Sequence, residues 1–417
     1  MILTDKSIII TLAVPVFFLL ILIEFLYGLK VGKNNYKLSD TFTSIGLGLI
    51  SRFPPMLNIG FQGAVFVYAG SYLNLELLPI DSPITWIVAF LLYDLSYYWM
   101  HRMHHEIKVL WATHSVHHHG EEFNLSTALR QTSTGWLWKW IFYLPMIMIG
   151  VPGGVFVTVA GVNLVYQFWV HTKHIGHLGI LEKIFITPMN HSVHHAKNEE
   201  YIDANYGGVF IIWDRMFGTY IPERPDIEPV YGTVKPLNSW NPIWANFQVF
   251  YQMVQDTIHT KKISNKIKIW YSSTSWRPED VIENNPNPDP ALFKQKYSPP
   301  LNKQQKIFGI IQIFSTIIIA GSITVTLASQ TYQETAIFGL IFILSVLLTS
   351  YILQNKENSF NIQLGASSIL ILAIYFGGLV NLNLLATQLI LIHSLVNILY
   401  IGISIPMQKF SFKGSIN

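Results

Sequence analysis

Long apolar runs constrain this chain more than any other feature of its sequence. A membrane-spanning helix needs about 20 mostly apolar residues, and nine runs approach or exceed that length. They are residues 8–29, 43–73, 84–101, 136–151, 153–171, 305–328, 334–353, 361–379 and 383–405. Because backbone polar groups must be paired within lipid, these runs predict an all-α integral membrane protein with about nine transmembrane helices.

The composition agrees with a chain that lies largely in lipid. Only 12% of its 417 residues are charged, against about 25% in an average soluble protein. The net charge of +3 and the lack of a Lys/Arg block argue against nucleic-acid binding. Because the chain has no cysteine, disulfides, iron–sulfur clusters and cysteine-based zinc sites are excluded. Any metal must therefore be bound by nitrogen or oxygen.

The basic residues predict how the helices are oriented. Cytosolic loops of membrane proteins carry an excess of Lys and Arg. Most Lys and Arg follow the first, third, fifth, seventh and ninth runs, whereas the short loops between the other runs contain none. Nine crossings therefore place the polar stretches 102–135 and 172–304 in the cytosol. The membrane would be a bacterial inner membrane or the endoplasmic reticulum.

We predict four regions along the chain. They are N-terminal membrane anchor spans at 1–83, a catalytic region at 84–240, a cytosolic connector at 241–304 and a C-terminal four-span unit at 305–417. The first run has no Ala-x-Ala cleavage site after it and is interpreted as a retained anchor. The pair Pro54-Pro55 predicts a break in the run 43–73, and the Pro- and Asn-rich stretch 275–303 predicts a linker.

Three histidine motifs carry the chemistry. On a helix, residues at positions i, i+3 and i+4 project from one face. The first motif, His101–His105, therefore presents a pair of imidazoles. The second motif, His114–His119, and the third motif, His191–His195, each present a triplet. These eight candidate ligands are His101, His105, His114, His117, His118, His191, His194 and His195.

Eight nitrogen ligands are too many for one metal, since zinc takes four and open non-haem iron sites about three from protein. They fit two metals with open positions. Imidazole suits iron, zinc, copper or nickel, so the ligands alone do not choose the metal. The His-Glu-x-x-His motif of zinc proteases is absent. A metal transporter or sensor is an alternative, but it predicts polar residues along the spans, which are few.

With these motifs the chain resembles the fatty acid hydroxylase/sterol desaturase superfamily. The similarity covers about residues 80–240, and it is carried by Asp94–Arg102, Asn124–Gln131, Thr187–His195 and Asp203–Thr219. Within the superfamily, three features resemble the alkylglycerol monooxygenase branch. They are the pair His171-Thr172, the run from Asp203 to Thr219, and the hydrophobic unit that follows the catalytic region.

This resemblance implies a cytosol-facing di-iron site that uses dioxygen and two electrons to hydroxylate a C–H bond of a membrane lipid. The eight histidines above would be ligands, with His171 as a further ligand, whereas His174 and His177 stay undecided. In this branch an alkylglycerol is hydroxylated beside its ether oxygen and yields a fatty aldehyde and a glycerol product. The reductant would be tetrahydrobiopterin, and no residue of this chain is assigned to bind it.

The alternative within enzymes is a hydroxylase or desaturase of another lipid. The substrate would then be a sterol, a sphingoid base, a carotenoid or an acyl chain. Its electrons would come from a protein donor instead of a pterin.

Four polar residues complete the predicted site. Glu106 stands where the branch has an acid, and would be a metal ligand, a proton relay or a cofactor contact. Asp94 lies in a predicted span, where an acid is costly and usually paired. We predict that Asp94 fixes the orientation of a histidine ring, and that Asp203 and Asn205 do the same for the last triplet.

Overall fold

The computed structural model describes residues 5–57, 68, 70–73, 75, 77–286 and 296–413. This part of the chain is mostly helical, as predicted, and its only β-structure is three isolated bridges. The α-helices with given bounds are, in chain order, α1 (Asp5–Lys30), α2 (Leu38–Ile50), α3 (Phe53–Met56), α4 (Pro83–Glu106), α5 (Lys108–His118), α6 (Leu144–Met148), α7 (Gly153–Trp169), α8 (Pro188–His194), α9 (Ile212–Phe217), α10 (Pro242–His259), α11 (Ile263–Tyr271), α12 (Glu279–Ile282), α13 (Lys303–Val325), α14 (Tyr332–Leu353), α15 (Ser359–Gly377) and α16 (Leu385–Lys413).

Five of the described helices are long and apolar enough to cross a membrane, which supports an integral membrane protein. They are α1 over Leu12–Lys30, α13, α14, α15, and α16 over Leu385–Ser404. The predicted count of nine is not confirmed. The helix α4 has 24 residues but carries three charged side chains, and α7 has only 17 residues.

The predicted span 136–151 is wrong as a single helix. Two 3-10 helices, Gly135–Leu137 and Lys139–Tyr143, precede the five-residue α6 there. Hydropathy detected the apolar residues but not the break at Pro145, which lies in the first turn of α6, where the missing N–H of proline costs no helical hydrogen bond. In the run 43–73, α2 ends at Ile50 and Pro54-Pro55 lie in α3, while most of residues 58–76 lie outside the described residues, as do 287–295 of the predicted linker.

The chain packs as two units. The first comprises Met1–Tyr36, Gly60–Leu237 and Asn246–Lys296, and the second comprises Lys37–Ile59, Asn238–Ala245 and Tyr297–Asn417. The second unit contains the four C-terminal helices together with α2, whose Phe42 shares a buried core with Phe338 and Phe342 of α14. The approach of α2 to α14 requires Gly46, because a Cβ there would lie 2.6 Å from Cγ1 of Val346.

The first unit holds the histidine motifs. A single extended residue, Ile107, separates α4 from α5, and the two helices pack against each other. Through this turn the histidines at the end of α4 face those of α5. The helix α1 packs on α7, where the rings of Phe17 and Phe168 stack with their centroids 4.0 Å apart.

Candidate metal centre

The structure brings all nine predicted metal ligands into two neighbouring groups. Within each group, one ring nitrogen per residue lies within 4.8 Å of all the others. The five-histidine group consists of His101, His105, His114, His118 and His194. The four-histidine group consists of His117, His171, His191 and His195. Among the described residues, neither group includes a carboxylate or a further histidine.

The nitrogens of the five-histidine group converge through their Nε2 atoms. His114 Nε2 lies 3.0 Å from that of His101 and 3.1 Å from that of His118. The Nε2 atoms of His105 and His194 are buried and have no hydrogen-bond partner in the described part of the chain. Buried polar atoms without a partner are rare and costly, so these two nitrogens indicate a ligand that would pair with them.

The four-histidine group has the same arrangement. His171 Nε2 lies 3.3 Å from that of His117 and 3.0 Å from that of His191. His195 Nε2 lies 3.2 Å from that of His191. These three contacts join four nitrogens, and they cannot all be N–H···N hydrogen bonds, because the Nε2 atoms of His171 and His191 each make two contacts while a ring nitrogen has either one proton or one lone pair.

These separations fit metal coordination. With metal–nitrogen bonds of about 2.1 Å, neighbouring ligand nitrogens lie about 3.0 Å apart at right angles and about 3.4 Å apart at tetrahedral angles. The observed spacings of 3.0–3.3 Å fall in this interval. A six-coordinate metal would keep one free position in the five-histidine group and two in the four-histidine group.

The second and third motifs each serve both groups. Along α5, His114 and His118 belong to the five-histidine group and His117 to the other. Around α8 the assignment is reversed, since His194 belongs to the five-histidine group and its neighbours to the other. The rings of His118 and His195, one from each group, stack with centroids 4.5 Å apart at 22°. The two groups therefore share the same two short helices and are in direct contact.

Backbone carbonyls orient four of the rings. The Nδ1 atoms of His101, His117, His171 and His194 lie 2.8, 3.0, 2.8 and 2.9 Å from the carbonyl oxygens of Tyr206, Arg130, Gln167 and Ala204. A carbonyl only accepts, so Nδ1 must carry the proton in each ring. The Nε2 lone pair is then free for a metal, which is the usual arrangement of metal-binding histidines.

Burial keeps these histidines neutral. It lowers the pKa of His194 to about 4, although a hydrogen bond to the Ala204 carbonyl acts in the opposite direction. Burial, and then repulsion from neighbouring histidines, also holds the pKa of His118 and His195 well below the ordinary value of 6.5. A metal binds histidine only when the ligating nitrogen is deprotonated, so the lowered pKa values keep the rings in the form that can bind a metal.

Asp203 and Asn205 are predicted to orient rings of the last triplet, and in the structure the backbone between them contacts one of these rings, since the Ala204 carbonyl accepts from His194 Nδ1. Both have left-handed backbone, with φ of 62° and 58°, a conformation that Asp and Asn tolerate better than most residues. They flank Ala204, and this loop presents the Ala204 carbonyl to the ring of His194 and the Tyr206 carbonyl to the ring of His101. The Asn205 amide donates to the carbonyls of Asn190 and Ile221 at 3.0 and 2.8 Å, which holds the loop against α8.

The predicted contact between Asp94 and a histidine ring is absent among the described residues. Its buried carboxylate accepts four hydrogen bonds, at 2.8–3.0 Å, from donors that include no histidine among the described residues. The donors are the side chains of Asn163 and Trp213 and the backbone N–H groups of Val209 and Phe210. Gly208 packs directly on this carboxylate, because a Cβ there would lie 2.7 Å from Oδ1. Asp94 therefore anchors the loop after Tyr206 to α4.

Sequence reasoning missed Asp214. Its carboxylate accepts from the backbone N–H groups of Tyr206 and Gly207 at 2.7 and 2.9 Å, and from the Thr219 hydroxyl at 2.8 Å. Burial raises the pKa of Asp214 to about 6 against these hydrogen bonds. Asp214 lies in the run Asp203–Thr219 that carries the resemblance to the family, but nothing local in the sequence indicates contacts eight residues back.

Glu106 belongs to neither histidine group. Its carboxylate forms an ion pair with Arg102 at 2.7 Å and is 39% exposed. Burial, and then the nearby Glu106 carboxylate, raises the pKa of Asp203. Glu106 and Asp203 thus form an acidic edge beside the five-histidine group, close to the ring of Tyr206, whose centroid lies 5.2 Å from that of His105.

The acid of the first helix was also missed. Glu24 is buried, and its carboxylate accepts from the Thr172 hydroxyl at 2.5 Å, from the Leu125 N–H at 2.8 Å and from the Tyr36 hydroxyl. Thr172 directly follows His171, a member of the four-histidine group. The sequence shows Glu24 within an apolar run but does not indicate the distant segments that it joins.

The two undecided histidines lie outside both groups. The ring of His174 meets Tyr27 edge to face, with centroids 5.2 Å apart. His177 is 64% exposed and lies 3.2 Å from the Glu182 carboxylate.

Comparison with known proteins gives consistent matches. The fatty acid hydroxylase family matches residues 86–219. Alkylglycerol monooxygenase of Danio rerio is 33% identical over 369 residues, which cover 88% of this chain and 82% of that protein. The Homo sapiens alkylglycerol monooxygenase is 40% identical over 267 residues, covering 64% of this chain and 59% of the relative.

The names of more distant relatives indicate other lipid substrates. Ornithine lipid hydroxylase OlsE of Rhizobium tropici is 30% identical over 148 residues, covering 33% of this chain and 43% of the relative. No solved structure matches the chain. The similarity to the Danio rerio protein extends over most of both sequences, and it includes the region that holds both histidine groups. The chain therefore belongs to the fatty acid hydroxylase/sterol desaturase superfamily and, within it, to the alkylglycerol monooxygenase family.

Proposed function

We propose that this chain is a di-iron monooxygenase that cleaves the ether bond of alkylglycerols. Family membership supports the broader activity, a lipid hydroxylase or monooxygenase in a membrane. The observation that carries the proposal is the pair of adjacent, buried histidine groups with five and four ligands. The products would be a fatty aldehyde and a glycerol derivative.

Iron is the metal that fits this chemistry. Zinc has no redox chemistry, whereas iron bound by imidazoles with free positions can react with dioxygen. Two bound irons would activate dioxygen, which with two electrons from the reductant is the oxidant for the C–H bond beside the ether oxygen. The five-histidine group would hold one iron and the four-histidine group the other.

The protein's own residues would orient the ligands and keep water away. The carbonyls of Tyr206, Ala204, Arg130 and Gln167 hold four rings with Nε2 directed inward. Phe123 covers the four-histidine group, since its ring centroid lies 5.3 Å from that of His195 and 5.7 Å from that of His171. Asp94, Asp203 and Asn205 would act as positioning residues through the loop 203–210.

The acidic edge would contact the reductant or relay protons to the site. Glu106 lies beside the five-histidine group, is partly exposed and is held by Arg102. We propose that it contacts the cofactor or relays protons there, and that the reductant is tetrahydrobiopterin. This assignment rests on family membership, and the alternative is a protein electron donor.

The proposed setting is a cytosol-facing site in a multi-pass membrane protein with about nine spans. The membrane would be a bacterial inner membrane or the endoplasmic reticulum. The division into regions at 1–83, 84–240, 241–304 and 305–417 belongs to the same proposal.

A turnover assay tests the function. Membranes that contain the protein would be supplied with an alkylglycerol, dioxygen and tetrahydrobiopterin, and the fatty aldehyde would be trapped. We expect aldehyde that requires both oxygen and pterin and that disappears in His194→Ala but not in His177→Ala. An iron-loaded, folded protein that forms no aldehyde would contradict the ether-lipid activity.

The second candidate is oxidation of a different lipid. The ornithine lipid hydroxylase that shares 148 aligned residues favours it. The same preparation would then change the lipid profile of its host membrane without using alkylglycerol, and it would need a protein electron donor.

A further inference from the structure

The helix α10 exposes an apolar stripe. Phe247, Tyr251, Val254 and Ile258 are 49, 54, 41 and 62% exposed. Their spacing of four, three and four residues places them along one side of the helix. Exposed apolar residues are ordinary when scattered, but a continuous stripe indicates a surface that meets another apolar phase.

The next helix repeats this pattern. Ile263, Ile267 and Tyr271 of α11 are spaced by four residues and are 75, 64 and 62% exposed. Only three residues separate the two helices. The α10–α11 segment, residues 247–271, therefore carries two exposed apolar stripes in succession.

Basic residues accompany the stripes. Lys261, Lys262, Lys266 and Lys268 lie between and within them, and residues 257–278 contain no Asp or Glu. A helix with an apolar side and lysines beside it is suited to lie in the plane of a membrane surface. Anionic lipids of the cytosolic leaflet attract such lysines.

The opposite side of the segment is fixed on the protein. Met253 of α10 and Ile269 of α11 share a buried core with Ala112 of α5. Asp256 and Arg277 form an ion pair at 2.8 Å in which both side chains are largely buried. The stripes cannot turn inward without breaking this packing, so they are held in the exposed orientation.

We propose that the α10–α11 segment lies in the bilayer interface and binds anionic lipid with its stripes and lysines. This changes the prediction of a purely cytosolic connector at 241–304. Because α5 carries His114, His117 and His118, the segment would fix the histidine groups against the membrane surface from which a lipid arrives. The inference does not depend on which lipid is oxidised.

The absence of cysteine makes a direct test simple, since a single introduced cysteine is the only thiol in the chain. The full-length protein would carry a nitroxide at Tyr251→Cys or Ile267→Cys, with His259→Cys and Ser264→Cys as exposed controls off the stripes. Each would be placed in phosphatidylcholine vesicles with or without phosphatidylserine. The accessibility of the label to oxygen and to a water-soluble nickel chelate reports its depth.

We expect the ratio of oxygen to nickel accessibility to be several-fold higher at the two stripe positions than at the controls. Phosphatidylserine should raise it further, and replacing the four lysines by Gln should remove that increase. Equal ratios at all four positions would overturn the proposal. Dipolar broadening between labels at Ile267→Cys would overturn it in favour of contact with a second copy.

Discussion

Replacing Glu24 with alanine is expected to weaken the four-histidine group while leaving the five-histidine group intact. The Glu24 carboxylate accepts hydrogen bonds from Thr172, Leu125 and Tyr36. Thr172 follows His171, and Leu125 lies in the loop whose Arg130 carbonyl orients His117. Two of the four histidines in that group therefore depend on segments that Glu24 joins, whereas the carbonyls that orient rings of the other group belong to Tyr206 and Ala204, on a different loop.

The size of the effect follows from the three donors. A buried donor left without its acceptor costs about 1–3 kcal/mol, so Glu24→Ala should cost at least about 3 kcal/mol. If metal binding must supply this free energy to order the two segments, the affinity of the four-histidine group falls by about 100-fold. Glu24→Gln should be far milder, because the amide can donate to the Thr172 hydroxyl and its oxygen can still accept from the other two donors.

The assay is metal content per purified chain across a series of chelator concentrations. Glu24→Ala should retain one metal under conditions where the unaltered chain retains two, and Glu24→Gln should resemble the unaltered chain. Ile23→Ala is a matched control, since its side chain on the same helix is 51% exposed. Two metals bound by Glu24→Ala with unchanged affinity would refute the reasoning, provided its helix content is unchanged.

Three further outcomes are expected. His118→Ala and His195→Ala should each lower the metal content by about one per chain by removing a ligand from different groups, and an equal loss of both metals from either variant would contradict two separable sites. Folding raises the pKa of Asp214 from 3.8 to about 6. Its contribution to the free energy of unfolding is therefore complete below pH of about 4, and it falls by up to about 3 kcal/mol as the pH rises through about 6. In a comparison of thermal midpoints across pH, Asp214→Asn should lack this fall, and an unchanged pH profile would refute the assignment. Gly46→Ala should destabilise the second unit by about 1–3 kcal/mol through overpacking against α14, and a thermal midpoint equal to that of the unaltered chain would refute this.

Local spacing made the clustering of the histidines predictable. The spacings His-x-x-x-His and His-x-x-His-His place imidazoles on one face of a helix, and the structure brings the eight histidines selected this way, with His171, into the two groups. Their division between the groups was not predictable, because it depends on how α4, α5 and α8 pack. The reversed assignment of the second and third triplets results from that packing.

The orientation of the rings could not be predicted from the sequence either. The acceptors are backbone carbonyls, which every residue possesses, so no residue type marks Ala204 or Tyr206. Asp203 and Asn205 are predicted to orient the last triplet, and in the structure both have left-handed backbone, while the neighbouring carbonyls of Ala204 and Tyr206 contact the rings of His194 and His101. Long-range contacts such as those of Glu24 and Asp94 depend on tertiary packing.

Hydropathy succeeded for long uniform helices and failed where apolar residues occur without one continuous helix. The four C-terminal spans and the first span correspond to helices long enough to cross a membrane. In the stretch 136–151, the apolar residues are divided among short helices around Pro145. Apolar content measures the preference for lipid, whereas a span also requires unbroken hydrogen bonding.

The measurement that tests the central claim most directly is the iron content of the full-length protein after iron-replete expression, determined together with zinc and copper. Two histidine groups with five and four ligands predict about two irons per chain, and about one iron in His118→Ala. Less than one iron per chain in a folded preparation, or zinc in place of iron, would contradict a di-iron centre.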